Sequence, residues 1–189
     1  MPAIFLKSAM TVADLPEGKK PMIAMLGRSN VGKSTFINKL VGAKLARTSC
    51  KPGLTQCINL FEIDKRYHLV DLPGYGYARG SVDRRKDFAE MLGSYLSGAK
   101  NLKLVILIID ARVGFTELDE HALAQLKDGN LPHLVVVNKI DKLKKAELNE
   151  LMKKLHAAHP DVPLMPHSYN EVKVSGEIRE AIEKSVRMA

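Results

Sequence analysis

The sequence predicts an α/β fold: a three-layer sandwich with a mostly parallel six-stranded sheet, one antiparallel strand, and helices on both faces. Three observations carry this. Short apolar runs alternate along the chain with amphipathic segments of helical period, the pattern of a parallel sheet with crossover helices. One run, Leu104 to Ile109, is apolar at every position, as a strand buried on both faces must be. And two runs are separated only by Asp64-Lys65-Arg66, too short a link for anything but an antiparallel pair.

At 189 residues and 46% hydrophobic, the chain suits one domain with a substantial core. Residues 22–189 read as that domain, and residues 1–21 as an extended lead-in packed on it, with an apolar piece at Ile4-Phe5-Leu6. No apolar run approaches a membrane span, and the N-terminus lacks the basic and apolar regions of a signal peptide. No lipidation signal is present either, so no membrane partner is expected. Two cysteines, Cys50 and Cys57, cannot build a disulfide scaffold, and reduced thiols in a cytoplasmic protein are expected. Lys and Arg number 29 against 21 for Asp and Glu, a formal charge of +8 that favours phosphate-rich partners, RNA among them.

In order, the first strand of the domain is Met22 to Leu26. The segment after Lys33 reads as a helix ending near Gly42. Residues 43–57 are polar and broken by Lys51-Pro52-Gly53, hence a loop. Ile58 to Ile63 and Tyr67 to Asp71 form the hairpin. Loop follows through Gly80, then a helix from Val82 or Asp83 with Phe88, Met91, Leu92, Tyr95 and Leu96 at helical spacing. Strand Lys103 to Asp110, a helix from about Glu117, strand Leu134 to Val137, and a helix bearing Leu148, Leu151, Met152 and Leu155 come next. A short strand near Val162 to Met165 precedes a last helix striped by Ile178, Ala181, Ile182, Ser185 and Val186.

The chemistry is concentrated where strands end. Gly27-Arg28-Ser29-Asn30-Val31-Gly32-Lys33-Ser34 has the Gly-x4-Gly-Lys-Ser spacing of a P-loop, set between a strand and a helix. Its glycines let backbone N–H groups converge on phosphate oxygens at a helix N-terminus. Lys33 would reach the terminal phosphates, and the Ser34 hydroxyl would ligate magnesium. Asp71-Leu72-Pro73-Gly74 follows another strand. There Asp71 would hold the magnesium through water, and the Gly74 N–H would meet a γ-phosphate. Asn138-Lys139-Ile140-Asp141 follows a third strand. The Asp141 carboxylate matches the N1–H and 2-amino donors of guanine, whereas adenine would leave it unpaired, a discrimination of roughly 10⁴ to 10⁵. Asn138 would tie the base loop to the P-loop, and the Lys139 stem would cover the base. These motifs point to GTP and GDP.

In this order the motifs resemble those of the translation-factor-related GTPases. Together with Lys51-Pro52-Gly53-Leu54-Thr55-Gln56, Asp71-Leu72-Pro73-Gly74-Tyr75-Gly76-Tyr77-Ala78 and Asp110-Ala111-Arg112, the chain is similar to the EngB (YihA/YsxC) family of bacterial ribosome-assembly GTPases over nearly its whole length. The resemblance implies a P-loop GTPase fold and a monomeric switch in large ribosomal subunit assembly, needed through that role for growth and cell division. Its partners would be the large subunit or its precursor. It also implies that Gly53, Leu54, Thr55 and Gln56 form the first switch, with Thr55 closing on magnesium and the γ-phosphate. His167 and Ser168 would then stand for the last base-contacting loop. Leu54 departs from the Arg or Lys usual in the family, and Asn138 from its frequent Thr.

Hydrolysis of GTP needs positioning and charge neutralisation more than covalent chemistry. Lys33, Thr55 and the Gly74 N–H are the catalytic candidates. Tyr75 stands where many small GTPases carry a water-orienting Gln, so slow intrinsic turnover is expected. Two helpers are expected: a ribosomal particle, and a potassium ion that Asn30 would help coordinate as in the GTPases this loop resembles, unless Asn30 merely braces the loop. The basic run Arg79, Arg84, Arg85 and Lys86 is a candidate rRNA contact. An alternative of a different class is a regulatory GTPase of cell division or signalling with protein partners only. A small-molecule P-loop kinase is disfavoured by the guanine motif.

Overall fold

The structure, a computed structural model, describes residues 2–16, 18–45, 57–76, 82–99, 101–168, 170 and 172–188, without the side chains of 82–88, 91 and 172–175. Its sheet has seven strands: β1 (Ala3–Ala9), β2 (Met22–Gly27), β3 (Ile58–Ile63), β4 (Tyr67–Asp71), β5 (Leu102–Asp110), β6 (His133–Asn138) and β7 (Leu164–His167). Five helices connect them: α1 (Lys33–Val41), α2 (Val82–Gly98), α3 (Glu117–Asp128), α4 (Lys145–Ala158) and α5 (Val172–Arg187). The strand order is β1-β3-β4-β2-β5-β6-β7. Of these strands only β3 runs against the rest, being antiparallel to both β1 and β4.

The seventh strand is the difference from the sequence expectation. Six strands stand where they were expected, and the lead-in adds β1 along the outer edge of β3. Its pattern is silent because an edge strand with both faces open needs no alternation; Ile4, Phe5 and Leu6 are all exposed. The hairpin between β3 and β4 turns through Asp64 (φ 52°) and Lys65 (φ 59°), two consecutive left-handed residues. The turn has the hand of the strand twist and sits in a three-residue link, with Ile63 paired opposite Tyr67. The last strand begins two residues later than expected, which brings His167 to the strand end.

Alternation within the central strands divides the core in two. Ala24, Leu26, Val105, Leu107 and Ile109 face Leu92 and Tyr95 of α2, Ala122, Leu123 and Leu126 of α3, and Leu155 of α4. Ile23, Met25, Ile106 and Ile108 face Phe36, Ile37 and Leu40 of α1 and Ile178 and Ile182 of α5. Each fully buried side chain of this size contributes about 1.5–3 kcal/mol. With both faces of the central strands covered, their free surface is the rim. The carboxyl ends of β2, β4, β5 and β6 therefore carry whatever chemistry the chain has.

One further expectation changes. Cys57 is disulfide-bonded rather than a free thiol, and its partner lies outside the described residues. No helix among the described residues is long and apolar enough to cross a membrane.

Candidate functional site

The P-loop leaves β2 at Gly27 and enters α1 at Lys33. Gly32 sits at the helix N-cap with φ 99°, and no side chain caps the first turn, so its N–H groups are left to a ligand. A Cβ on Gly32 would lie 2.6 Å from the Asn138 side-chain nitrogen. The bare backbone is therefore needed twice, for its left-handed conformation and for the close approach of β6.

That approach is a hydrogen bond. Asn138 Nδ2 donates to the Val31 carbonyl at 2.9 Å. Its Oδ1 is then the acceptor for His167 Nδ1 at 3.0 Å, so His167 carries its proton on Nδ1. The His167 ring stands edge-on to Phe36, with centroids 4.9 Å apart. Burial, then the Lys39 charge, depress its pKa, which keeps the imidazole neutral. Ser168 Oγ donates to Asp141 Oδ1 at 3.2 Å. His167 and Ser168 are thus brought beside the base motif. Burial alone would raise the Asp141 carboxyl, but hydrogen bonds from Lys142 and Ser168 outweigh it and lower the pKa.

Lys139 and Asn30 form a second tie. Both are left-handed, at φ 66° and 64°. This conformation is uncommon for non-glycine residues and is kept only where surroundings enforce it. Lys139 Nζ donates to the Asn30 carbonyl at 2.7 Å and to Asp110 Oδ2 at 2.8 Å. Asp110 also takes hydrogen bonds from the backbone N–H and guanidinium of Arg112. Burial would raise its carboxyl, yet Arg112 and Lys139 hold it well below the usual carboxylate range. In the sequence Asp110 stands out only as part of a family motif; its position at the end of β5, one strand over from the loop that carries Lys139, is the available signal.

On the other side of the P-loop, Lys33 Nζ pairs with the buried Asp71 at the end of β4. β2 and β4 are parallel neighbours with Met25 opposite Asp71, which places both groups at one rim. Gly74 lies against Ser29: a Cβ there would come within 3.1–3.2 Å of Ser29 Oγ, Cα and N. Ser29 N donates to the Tyr75 carbonyl at 2.8 Å, and its hydroxyl to the Gly74 carbonyl at 3.2 Å. Tyr75 points away from this rim. Its ring is 2% exposed, and its hydroxyl donates to Asp119 Oδ1 at 2.6 Å. Burial, then the Asp119 charge, push the phenol above its ordinary value, so it stays a donor. Asp119 escaped notice in the sequence, although Thr116-x-x-Asp119 has capping-box spacing and does cap α3.

Gly53, Leu54, Thr55 and Gln56 lie outside the described residues, as does Arg79. The side chains of Arg84, Arg85 and Lys86 do too. Arg28, Leu72, Pro73 and Ile140 line the loops by their backbone positions, with Arg28 bridged to Tyr75 and Leu72 N–H bonded to Met25 O at 3.1 Å.

A P-loop, an Asp-x-x-Gly loop and an Asn-Lys-x-Asp loop at the carboxyl ends of β2, β4 and β6 define a P-loop GTPase. A sequence profile for the 50S ribosome-binding GTPase family matches residues 22–139. A probable GTP-binding protein EngB from Mycoplasmopsis synoviae is 43% identical over 180 residues, 95% of this chain and 94% of that one. Another from Citrifermentans bemidjiense is 49% identical over 144 residues, 76% of this chain and 67% of its own length. The crystal structure of a probable GTP-binding protein EngB superposes with a TM-score of 0.71 at 27% identity, covering 89% of this chain and all of that one. The chain belongs to the EngB family of GTP-binding proteins.

Proposed function

We propose that this chain hydrolyses GTP through the residues above and acts as a switch whose GTP form joins an assembling large ribosomal subunit and leaves after hydrolysis. The observation that carries the nucleotide site is the Asn138 bond to Val31, which holds the guanine motif directly against the phosphate loop. The ribosomal partner is supported by the family, whose description is ribosome-binding, and by the charge of +8. We read residues 22–189 as the GTP-binding domain and residues 1–21 as packed on it, a monomer in the cytoplasm.

Magnesium fits the donors present. The half-buried Ser34 hydroxyl, in the first turn of α1, and the Asp71 carboxylate, at the end of β4, are hard oxygen donors. With Thr55 they would hold the ion, which when bound neutralises charge on the phosphates. Lys33, now paired with Asp71, is the protein's own cation for the terminal phosphates. The Gly74 N–H supplies a donor to the oxygen of the transferred group.

Nothing in residues 71–75 orients the attacking water, because Tyr75 is turned into the core. Turnover is accordingly slow without help. Asn30, at the exposed rim of the P-loop, is the candidate ligand for a potassium ion, and a ribosomal particle is the other activator. Equal turnover in KCl and NaCl would sink the potassium role. Pelleting with purified subunits under GDP, GTP and a non-hydrolysable analogue tests the switch. Binding to the large subunit under the analogue alone is expected. Equal binding in all three states, or none, would overturn it and favour a switch with protein partners in cell division.

A further inference from the structure

Tyr75 has lost the job its position suggests and has gained a buried anchor. Its hydroxyl donates to Asp119, a carboxylate 1% exposed and itself fixed by two donors of Thr116, the backbone N–H at 2.9 Å and the hydroxyl at 2.6 Å. The acceptor is therefore part of the N-terminal cap of α3 and cannot follow a moving loop. A hydrogen bond from a phenol to a desolvated carboxylate is among the strong ones. At its main chain the same residue accepts from Ser29 of the P-loop, and Gly74 beside it accepts from the Ser29 hydroxyl. Upstream, Leu72 is pinned to Met25 of β2. The segment 72–75 is thus held at both ends, with Gly74 packed on Ser29 closely enough that a methyl group would not fit comfortably. The left-handed turn at Gly76 (φ 79°) comes only after the anchor.

We propose that the Tyr75–Asp119 pair is a latch that positions the Gly74 amide over the P-loop for the terminal phosphate of GTP, making Tyr75 and Asp119 positioning residues for hydrolysis. This rests on the GTPase reading above. GDP has no third phosphate for Gly74 to meet, so the latch bears on turnover and not on GDP binding. The position that orients water in other GTPases here holds the neighbouring donor in place.

Tyr95 provides a matched control. It lies in the same core cluster, fully buried, and its hydroxyl has no hydrogen-bond partner among the described residues. Single-turnover hydrolysis and GDP titrations on wild type, Tyr75→Phe and Tyr95→Phe test the latch. Tyr75→Phe is expected to lower the hydrolysis rate about ten- to a hundredfold, the span of one charged hydrogen bond, with GDP affinity within about twofold. Tyr95→Phe is expected to change neither. An unchanged rate in Tyr75→Phe, or a GDP affinity that falls in step with the rate, would overturn the latch. Should the unpaired Asp119 charge unfold that variant, Tyr75→Phe with Asp119→Asn leaves the pair uncharged. The same split between rate and GDP affinity is expected there, and a wild-type rate overturns the proposal. Wild-type protein that hydrolyses no GTP even with potassium and large ribosomal subunits present would instead sink the GTPase reading itself.

Discussion

Asn138 reaches across 107 positions of sequence to donate its amide to the carbonyl of Val31 at 2.9 Å. The bond joins the end of β6 to the middle of the P-loop, tying the Asn-Lys-x-Asp loop directly to it. His167 completes the arrangement by donating to the other end of the same amide. The side chain is 7% exposed, and water cannot replace either partner.

Removing that amide should therefore weaken GTP and GDP alike. Asn138→Ala deletes two buried hydrogen bonds and strands the Val31 carbonyl. A stability loss of about 1–3 kcal/mol is expected, with nucleotide affinity down at least tenfold. Gly32→Ala should do as much from the opposite side, since its methyl would collide with the same amide. Thermal unfolding and titration with a fluorescent guanine nucleotide measure both effects. A Gly32→Ala protein with wild-type affinity would contradict the tight fit.

In the proposed function, Asp141 selects the base. Asp141→Asn replaces one acceptor oxygen with a donor, which opposes the 2-amino group of guanine but suits a 2-oxo purine. GTP affinity should fall by two orders of magnitude or more, and xanthosine triphosphate should become the better ligand. Competition between the two nucleotides on wild type and variant gives the answer directly.

Asp110 acts through Lys139. Neutralising it in Asp110→Asn removes the charge that draws Lys139 Nζ onto the strained Asn30 carbonyl. Loss of roughly tenfold in affinity for both GDP and GTP is expected, because the Lys139 stem would no longer be held over the base. Arg112→Ala, which removes only the exposed partner of Asp110, should cost much less. Equal losses in the two variants would refute this division.

Two buried histidines set a pH dependence. Burial, then Lys20, depress His68, while Glu62 opposes them weakly; burial and Lys39 depress His167. The unfolded chain binds these protons near the ordinary value of 6.5, and the folded chain only at lower pH. Protons therefore favour unfolding: the contribution of these two groups is complete above pH 6.5 and falls as pH drops through the folded values. The melting temperature should decline between about pH 7 and pH 5. His68 Nδ1 has no partner among the described residues, so His68→Leu should flatten that decline without harming the fold. A variant as steep as wild type would assign the dependence elsewhere.

From the residues alone one reads the mostly parallel sheet, six of its seven strands, and the three motif loops. Each rests on local chemistry: a strand buried on both faces must be apolar throughout, and phosphate and guanine impose residue types at fixed spacing. Two kinds of feature were illegible. β1 is an edge strand exposed on both faces, so burial wrote no period into Ile4, Phe5 and Leu6. The other kind is pairing between distant polar groups. Tyr75 with Asp119, Lys139 with Asp110, and Asn138 with His167 lie 29 to 44 positions apart. A carboxylate or an amide carries no mark of its partner along the chain. Packing in three dimensions brings strand ends and the α3 cap within hydrogen-bonding distance, and that is what turns Tyr75 into the core and sets Asp110 against Lys139.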